Sequence, residues 1–388
     1  MILRTSYQRE IDRFCKQLMG GEFNVRQFTK GALTQARAKL NPWAFKRLTQ
    51  IAVDIFYEEA EYYTWKDLRV LAVDGSRLRL PNSPDIVAEF GEHGFGPNAD
   101  SLASLATCSI LFDVLNNVVI DSCIGPYEQS ETQQLLEGHI QFVQKGDVLM
   151  ADRGYPSYRV MLEVLARGAH FCFRMQNDWW NAVRDFNASG EKQRIEKWPI
   201  SARVKKELST PTDQDFITVR LIKIELENGE IEILCTSLLD EQKYEYEQFE
   251  ALYHRRWGVE EEFKLLKARV EVEAFSGKTA KSVKQDFHAK MYMMTLYAVL
   301  CFPVMDKVKK EYDKEKTGNK HSQQINHTHA LSVVKDNLVN FFLKNIYYKA
   351  LNILDFLVEL TREIIRPGRN FERKKKPKRQ YHTTYKPL

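Results

Sequence analysis

Residues 68–75 read LRVLAVDG, an apolar run interrupted only by Arg69 and closed by Asp74 and Gly75. Residues 146–155, GDVLMADRGY, repeat the design: Asp152 stands at the exit of the run and Gly154 follows two places on. Short apolar runs bounded by turn residues are the pattern of strands buried on both faces. An aspartate at such a strand end is held rigidly, and a glycine after it leaves room for another backbone. Either aspartate alone also fits a turn or cap. The pair directs attention to what lies between and beyond.

Between them, residues 104–126 (SLATCSILFDVLNNVVIDSCIGP) read as a hairpin. Its strands run about 105–114 and 117–124, with Asn116-Asn117 as the turn. Residues 128–143 have a helical pattern, Pro156 opens a second helix, and HFCFRM (170–175) is a further strand. The order is strand, strand, strand, helix, strand, helix, strand. It matches the ribonuclease-H-like fold, an α/β (α+β) class. The first and fourth strands of that fold are neighbours, so Asp74 and Asp152 can converge. Residues 176–243 differ: polar stretches with embedded aromatics precede a period-two pattern across Asn228-Gly229, which predicts a β-rich insertion.

The third acid is sought in Tyr253 to Lys267, YHRRWGVEEEFKLLK. Read as one helix at roughly 100° per residue, Tyr253, Arg256, Glu260 and Lys267 share an arc of about 60°. Leu252, Val259, Phe263, Leu266 and Val270 form the adjoining apolar stripe. Of three consecutive acids, Glu260 alone lies on that edge; Glu261 and Glu262 are expected to point to solvent. A solvated surface helix is the competing reading of this stretch by itself. Asp74, Asp152 and Glu260 together would supply the hard oxygen ligands of a two-metal site for displacement at phosphorus.

With 44% hydrophobic and 28% charged residues, the composition is that of an ordinary globular protein. The basic excess is local. Residues 366–388 hold nine Lys/Arg against one acid, Lys374, Lys375 and Lys376 among them. Residues 23–53 hold six basic residues and no acid. Both segments suggest a polyanion partner. The six Cys form no CxxC and read as structural thiols of a reducing cytosol. The first residues lack the apolar core of a signal peptide, and the run 293–305 is short for a bilayer, so no membrane is expected. The expected organisation is a helical DNA-binding region (1–66), the first part of the catalytic core (67–175), and the insertion (176–243). The rest of the core (244–300), a helical region (301–366) and a basic tail (367–388) follow. Residues 306–329 read as an exposed connection.

The spacing Y-x2-R-x3-E-x6-K at Tyr253, Arg256, Glu260 and Lys267 resembles the signature of DDE transposases of bacterial insertion sequences, the "IS-four" group. LAVDGSRLRLP around Asp74 and ADRGYPSY around Asp152 resemble that group's two aspartate motifs. The resemblance implies cut-and-paste transposition of DNA in the bacterial cytoplasm. A homodimer would bind double-stranded inverted repeats and target DNA, and cleavage would pass through a hairpin. It implies two Mg2+ (or Mn2+) ions held by Asp74, Asp152 and Glu260. It also implies phosphate contacts from Tyr253, Arg256 and Lys267, to which Arg153 beside Asp152 is added. Trp179 and Trp180 are candidates for stacking on a flipped base, with a place in the core as the other reading. A ribonuclease-H-like nuclease and an inactive DNA-binding derivative are the rival functions.

Overall fold

The computed structural model describes residues 7–20, 24, 27–95, 101–177, 180–226, 229–344 and 346–365. Trp179, Asn228 and the whole tail 367–388, with Lys374, Lys375 and Lys376, lie outside them. The chain divides into two compact units. One comprises Met1–Phe56, Leu80–Glu89 and Leu265–Leu388; the other comprises Tyr57–Arg79 and Phe90–Lys264.

The second unit is built on one eight-stranded sheet. Its strands are β1 (Arg69–Arg79), β2 (Leu105–Asp113), β3 (Val118–Pro126), β4 (Asp147–Ala151), β5 (His170–Met175), β6 (Gln193–Pro199), β7 (Phe216–Glu225) and β8 (Ile231–Thr236). The order across the sheet is β3-β2-β1-β4-β5-β8-β7-β6. β1, β2 and β3 form an antiparallel meander, and β4 and β5 lie parallel to β1. This is the ribonuclease-H-like arrangement. Helix α1 (Glu131–Glu137) precedes β4, and α2 (Tyr158–Ala166) carries the chain from β4 to β5. Ser130 and Ser157 cap them, each accepting the N–H three residues on.

Register follows from sequence. Val70, Leu71, Ala72 and Val73 are fully buried, as are Val148, Leu149, Met150 and Ala151. At the foot of this core Arg69 donates two hydrogen bonds to Asp147, at 2.7 and 2.8 Å. The two residues face each other across β1 and β4, so a bidentate pair marks the first rung. From there the rungs run to Ala72 opposite Met150. Two residues further on each parallel strand bring Asp74 and Asp152 to one level and one face.

One expectation is corrected here. β1 does not stop at Asp74: it continues to Arg79 along β2, while β4 stops at Ala151. Asp74 therefore sits where β1 loses its parallel neighbour rather than at a strand end. The strands expected as an insertion extend the same sheet: β8 pairs antiparallel with β5 and covers an edge that would otherwise expose unpaired backbone groups.

The first unit is helical, with Tyr7–Met19, Lys30–Lys39 and Trp43–Glu59 from the N-terminal segment. Ala280–Glu311, His327–Phe342 and Tyr347–Leu360 follow from the C-terminal one. Helix Ala280–Glu311 contains the run 293–305 and is long and apolar enough to cross a membrane; 61% of its apolar stretch is buried within the protein. Arg37, one of the basic residues of 23–53, turns inward to Asp286 at 2.8 Å. The stretch 306–329 is largely ordered, because the long helix runs to Glu311 and Gln323–Gln324 pairs with Glu363–Ile364.

Candidate active site

The segment expected to be one helix is two. Helix α3 (Gln248–His254) ends, residues 255 and 256 form a turn, and α4 (Trp257–Ala268) begins. The Arg256 N–H reaches Tyr253 O and the Gly258 N–H reaches Arg255 O, three residues back instead of four. That tightens the chain and shifts the helical phase. The apolar stripe holds across the break: Leu252, Val259, Phe263, Leu266 and Val270 are all buried. Glu261 is exposed as expected, but Glu262 is buried, and burial alone raises its carboxyl to about 8. The buried arc of α4 is wider than its apolar residues mark.

Glu260 and Arg256 are linked at 2.9 Å, with the guanidinium nearly enclosed. Burial works against the Arg256 charge, yet Tyr253, Glu260 and Asp152 outweigh it and raise its pKa. The Tyr253 hydroxyl donates to Ala151 O at 3.3 Å, one residue before Asp152. The break thus brings both residues to the end of β4.

Asp74 interacts electrostatically with Arg256, Glu131 and Glu260. Burial pushes its carboxyl up to about 6, against the pull of the Gly75 N–H and Arg256. Asp152 accepts the Arg153 N–H at 2.7 Å and lies within the field of Tyr253 and Arg256. Asp74, Asp152 and Glu260 therefore gather where β4 ends beside the middle of β1. Among the described residues, their carboxylates receive few hydrogen bonds: the Gly75 N–H for Asp74, the Arg153 N–H for Asp152 and the Arg256 guanidinium for Glu260. Much of their acceptor capacity is unspent, which is the condition for holding a cation.

The remaining candidates are placed as follows. Arg153 is exposed beside Asp152, and Lys267 is exposed in the last turn of α4. Trp180 is half-buried, with its ring 5.1 Å from those of Tyr158 and Trp198. It belongs to an aromatic cluster, as the core reading allowed.

A residue that sequence reasoning missed is Glu131, the first residue of α1. Burial raises its carboxyl, Arg77 pulls it down, and Asp152 adds to the rise. Gly75 opens the space it fills: an ideal Cβ there would lie 2.2 Å from Glu131 Cδ. The glycine expected to admit a substrate backbone instead admits this side chain.

A second polar group, Asp121, Cys123 and His139, has the residue types of a metal site. His139 holds Asp121 through Nδ1 at 2.8 Å and Ser109 through Nε2 at 2.7 Å. Both ring nitrogens are thereby engaged, which makes the group a hydrogen-bonded network.

Residues 65–296 match the transposase DDE domain family. The chain is 22% identical over 229 residues to the transposase InsG of insertion sequence element IS4 from Escherichia coli K12, covering 59% of this chain and 51% of that protein. It is 22% identical over 154 residues to InsZ of the same organism, also named as a transposase, covering 39% and 50%. The chain thus spans about half the length of these curated relatives. A solved structure of the piggyBac transposase synaptic complex with hairpin DNA is 9% identical and covers 86% of this chain and 61% of that one. Its TM-score is 0.41, too low to carry an argument about fold or function. The family match takes in more than half of the chain and all three converging acids: the chain belongs to the transposase DDE domain family.

Proposed function

We propose that this chain is a DNA transposase that cleaves DNA at the ends of an insertion sequence and joins the freed ends to a target. The observation that supports this most is the gathering of Asp74, Asp152 and Glu260 with unspent oxygen acceptors. A donor set of carboxylates, without sulfur or imidazole, suits a hard cation, so Mg2+ or Mn2+ fits it. Asp74, Asp152 and Glu260 would hold two such ions, which supply activation of the attacking oxygen and charge stabilisation at the leaving oxygen.

The chain's own groups set the remaining conditions. Asp74 must be ionised to hold a cation, and Arg256 favours that form by facing it with a fixed positive charge. Arg256 also orients Glu260. Arg153 and Lys267, both exposed, would hold phosphates near the scissile bond, and Tyr253 would position the Asp152 end of β4. One set of acids serves every step. A strand is hydrolysed, its 3′-OH attacks the opposite strand to give a hairpin, the hairpin is reopened, and the 3′-OH attacks the target. A homodimer on paired inverted repeats, in the bacterial cytoplasm, completes the reading.

The test is incubation of purified protein and Mg2+ with a labelled duplex carrying the element's own ends. Hairpins and strand-transfer products are expected, and Asp74→Asn, Asp152→Asn or Glu260→Gln should each abolish them while end binding persists. Nicking without joining would reduce the protein to a ribonuclease-H-like nuclease. Binding without any cutting would leave a DNA-binding derivative.

A further inference from the structure

Glu131 is not part of the sequence signature, yet the fold delivers it to the acid cluster. Ser130 caps α1 and fixes Glu131 as its first residue. The Thr132 hydroxyl donates to Gly154 O at 3.3 Å, tying the start of α1 to the loop that carries Asp152. The Glu131 side chain then crosses the face of Gly75, where Cγ, Cδ and Oε1 occupy the place of a Cβ at 2.2–2.4 Å. Any side chain at position 75 would evict it. Asp74 is the residue next to Gly75, and Glu131 interacts with both Asp74 and Asp152.

The second observation is Tyr155. It is 2% exposed, three residues beyond Asp152, and its hydroxyl lies in the field of Glu131, Asp74 and Asp152. That hydroxyl meets the Glu131 carboxylate only loosely, short of full hydrogen-bond geometry. A buried donor so poorly met forfeits much of the value of its hydrogen bond, and such a donor is uncommon unless something else completes the site. Asp74, Asp152 and Glu260 gather around Arg256, and Glu131, paired electrostatically with Arg77, interacts with the first two of them, an excess of negative charge that a bound cation would offset.

We propose that Glu131 is a fourth carboxylate of the metal site, facing the cation between Asp74 and Asp152, with Tyr155 as its positioning residue. This rests on the metal-dependent reading above and extends it to a residue outside the three-acid signature. Glu131 tightens cation binding, and Tyr155 donates to it once the cation has drawn the carboxylate into line.

Mn2+ binding by the full-length protein without DNA, followed by the electron paramagnetic resonance of free Mn2+, separates the cases. Glu131→Gln is expected to weaken binding by about 10-fold, the usual scale for a group that supports metal ligands. Glu131→Asp should recover part of it. Gly75→Ala should mimic Glu131→Gln, because a methyl group displaces the side chain while every acid remains. Asp74→Asn should lose more than any of them. Melting in EDTA at the parental temperature identifies variants that are folded. If Glu131→Gln and Gly75→Ala bind Mn2+ within twofold of the parent while Asp74→Asn does not, the inference is overturned and the three-acid site stands. If Asp74→Asn also binds as the parent does, the metal site itself is wrong. Should Glu131→Gln fail to fold, Gly75→Ala decides alone, and parental affinity there overturns the proposal.

Discussion

Asp74 and Asp113 lie three rungs apart on adjacent strands, and burial raises the pKa of both. Their surroundings are opposite. Asp113 accepts the Tyr57 hydroxyl at 2.7 Å, the Leu115 and Asn116 N–H groups at 3.0 and 3.2 Å, and the Asn116 side-chain amide at 2.8 Å. Its lone pairs are spent on closing the β2–β3 turn. Asp74 accepts the Gly75 N–H and stands among other acids. Neither burial nor the direction of a pKa shift separates a structural acid from a reactive one. Unspent acceptor capacity does, and like-charged neighbours sharpen the contrast.

Exchanging the two losses gives the largest effect. Asp74→Asn should lower strand cleavage by at least about a thousandfold, since a metal ligand supplies several kcal/mol to the transition state. The folded state should be kept, because the variant removes a buried charge at little steric cost. Asp113→Ala should do the reverse. It leaves several buried donors without an acceptor, so the unfolding free energy from denaturant titration should fall by more than about 3 kcal/mol. Cleavage per folded molecule should survive. A stable Asp113→Ala that cannot cut would break the contrast.

What the sequence disclosed, and what it hid, follow the same division. Strand order, the hairpin and the apolar stripe Leu252, Val259, Phe263 were legible because side-chain periodicity records which faces are buried. Asp152 was legible because β4 stops one residue before it. The continuation of β1 was not, since GSRLR reads like a polar loop until β2 pairs with it. The break after His254 has neither proline nor glycine at residues 255 and 256 to announce it. Glu131 in ETQQLLE looks like any acid in the first turn of a helix. Its meeting with Gly75 joins residues 56 positions apart in the chain, and no local pattern encodes that.

The His139 network extends the comparison to pH. Burial opposes its charge, but Cys123 and Asp121 outweigh that and lift the imidazole to about 9, with Ser109 on its other nitrogen. A basic group raised above its unfolded pKa of 6.5 gives stability that is complete below 6.5 and lost as pH rises through 9. In EDTA, unfolding free energy should therefore drop by about 3 kcal/mol between pH 6.5 and 9. His139→Gln should flatten that slope and leave Mg2+-dependent cleavage at pH 7.5 measurable. A parent without the slope would mean that the sealed cluster is neutral throughout.

The smallest effect concerns two glycines. Gly75 has no room, because Glu131 occupies the position of its missing Cβ. Gly258, the second residue of α4, has room: an ideal Cβ would meet Val114 at 3.6 and 3.7 Å and Phe112 at 3.8 Å, ordinary van der Waals contact. Alanine at 258 should add packing on the β2–β3 turn and restrict the unfolded chain, for a gain of less than about 1 kcal/mol. Thermal melting should rise slightly, and cleavage should stay within about twofold, since no acid changes position. If Gly258→Ala instead lost cleavage well beyond twofold, the start of α4 would have to shift against Val114 during the reaction. Glu260 would then be delivered by motion of its helix, in contrast to Asp74 and Asp152, which the sheet holds fixed.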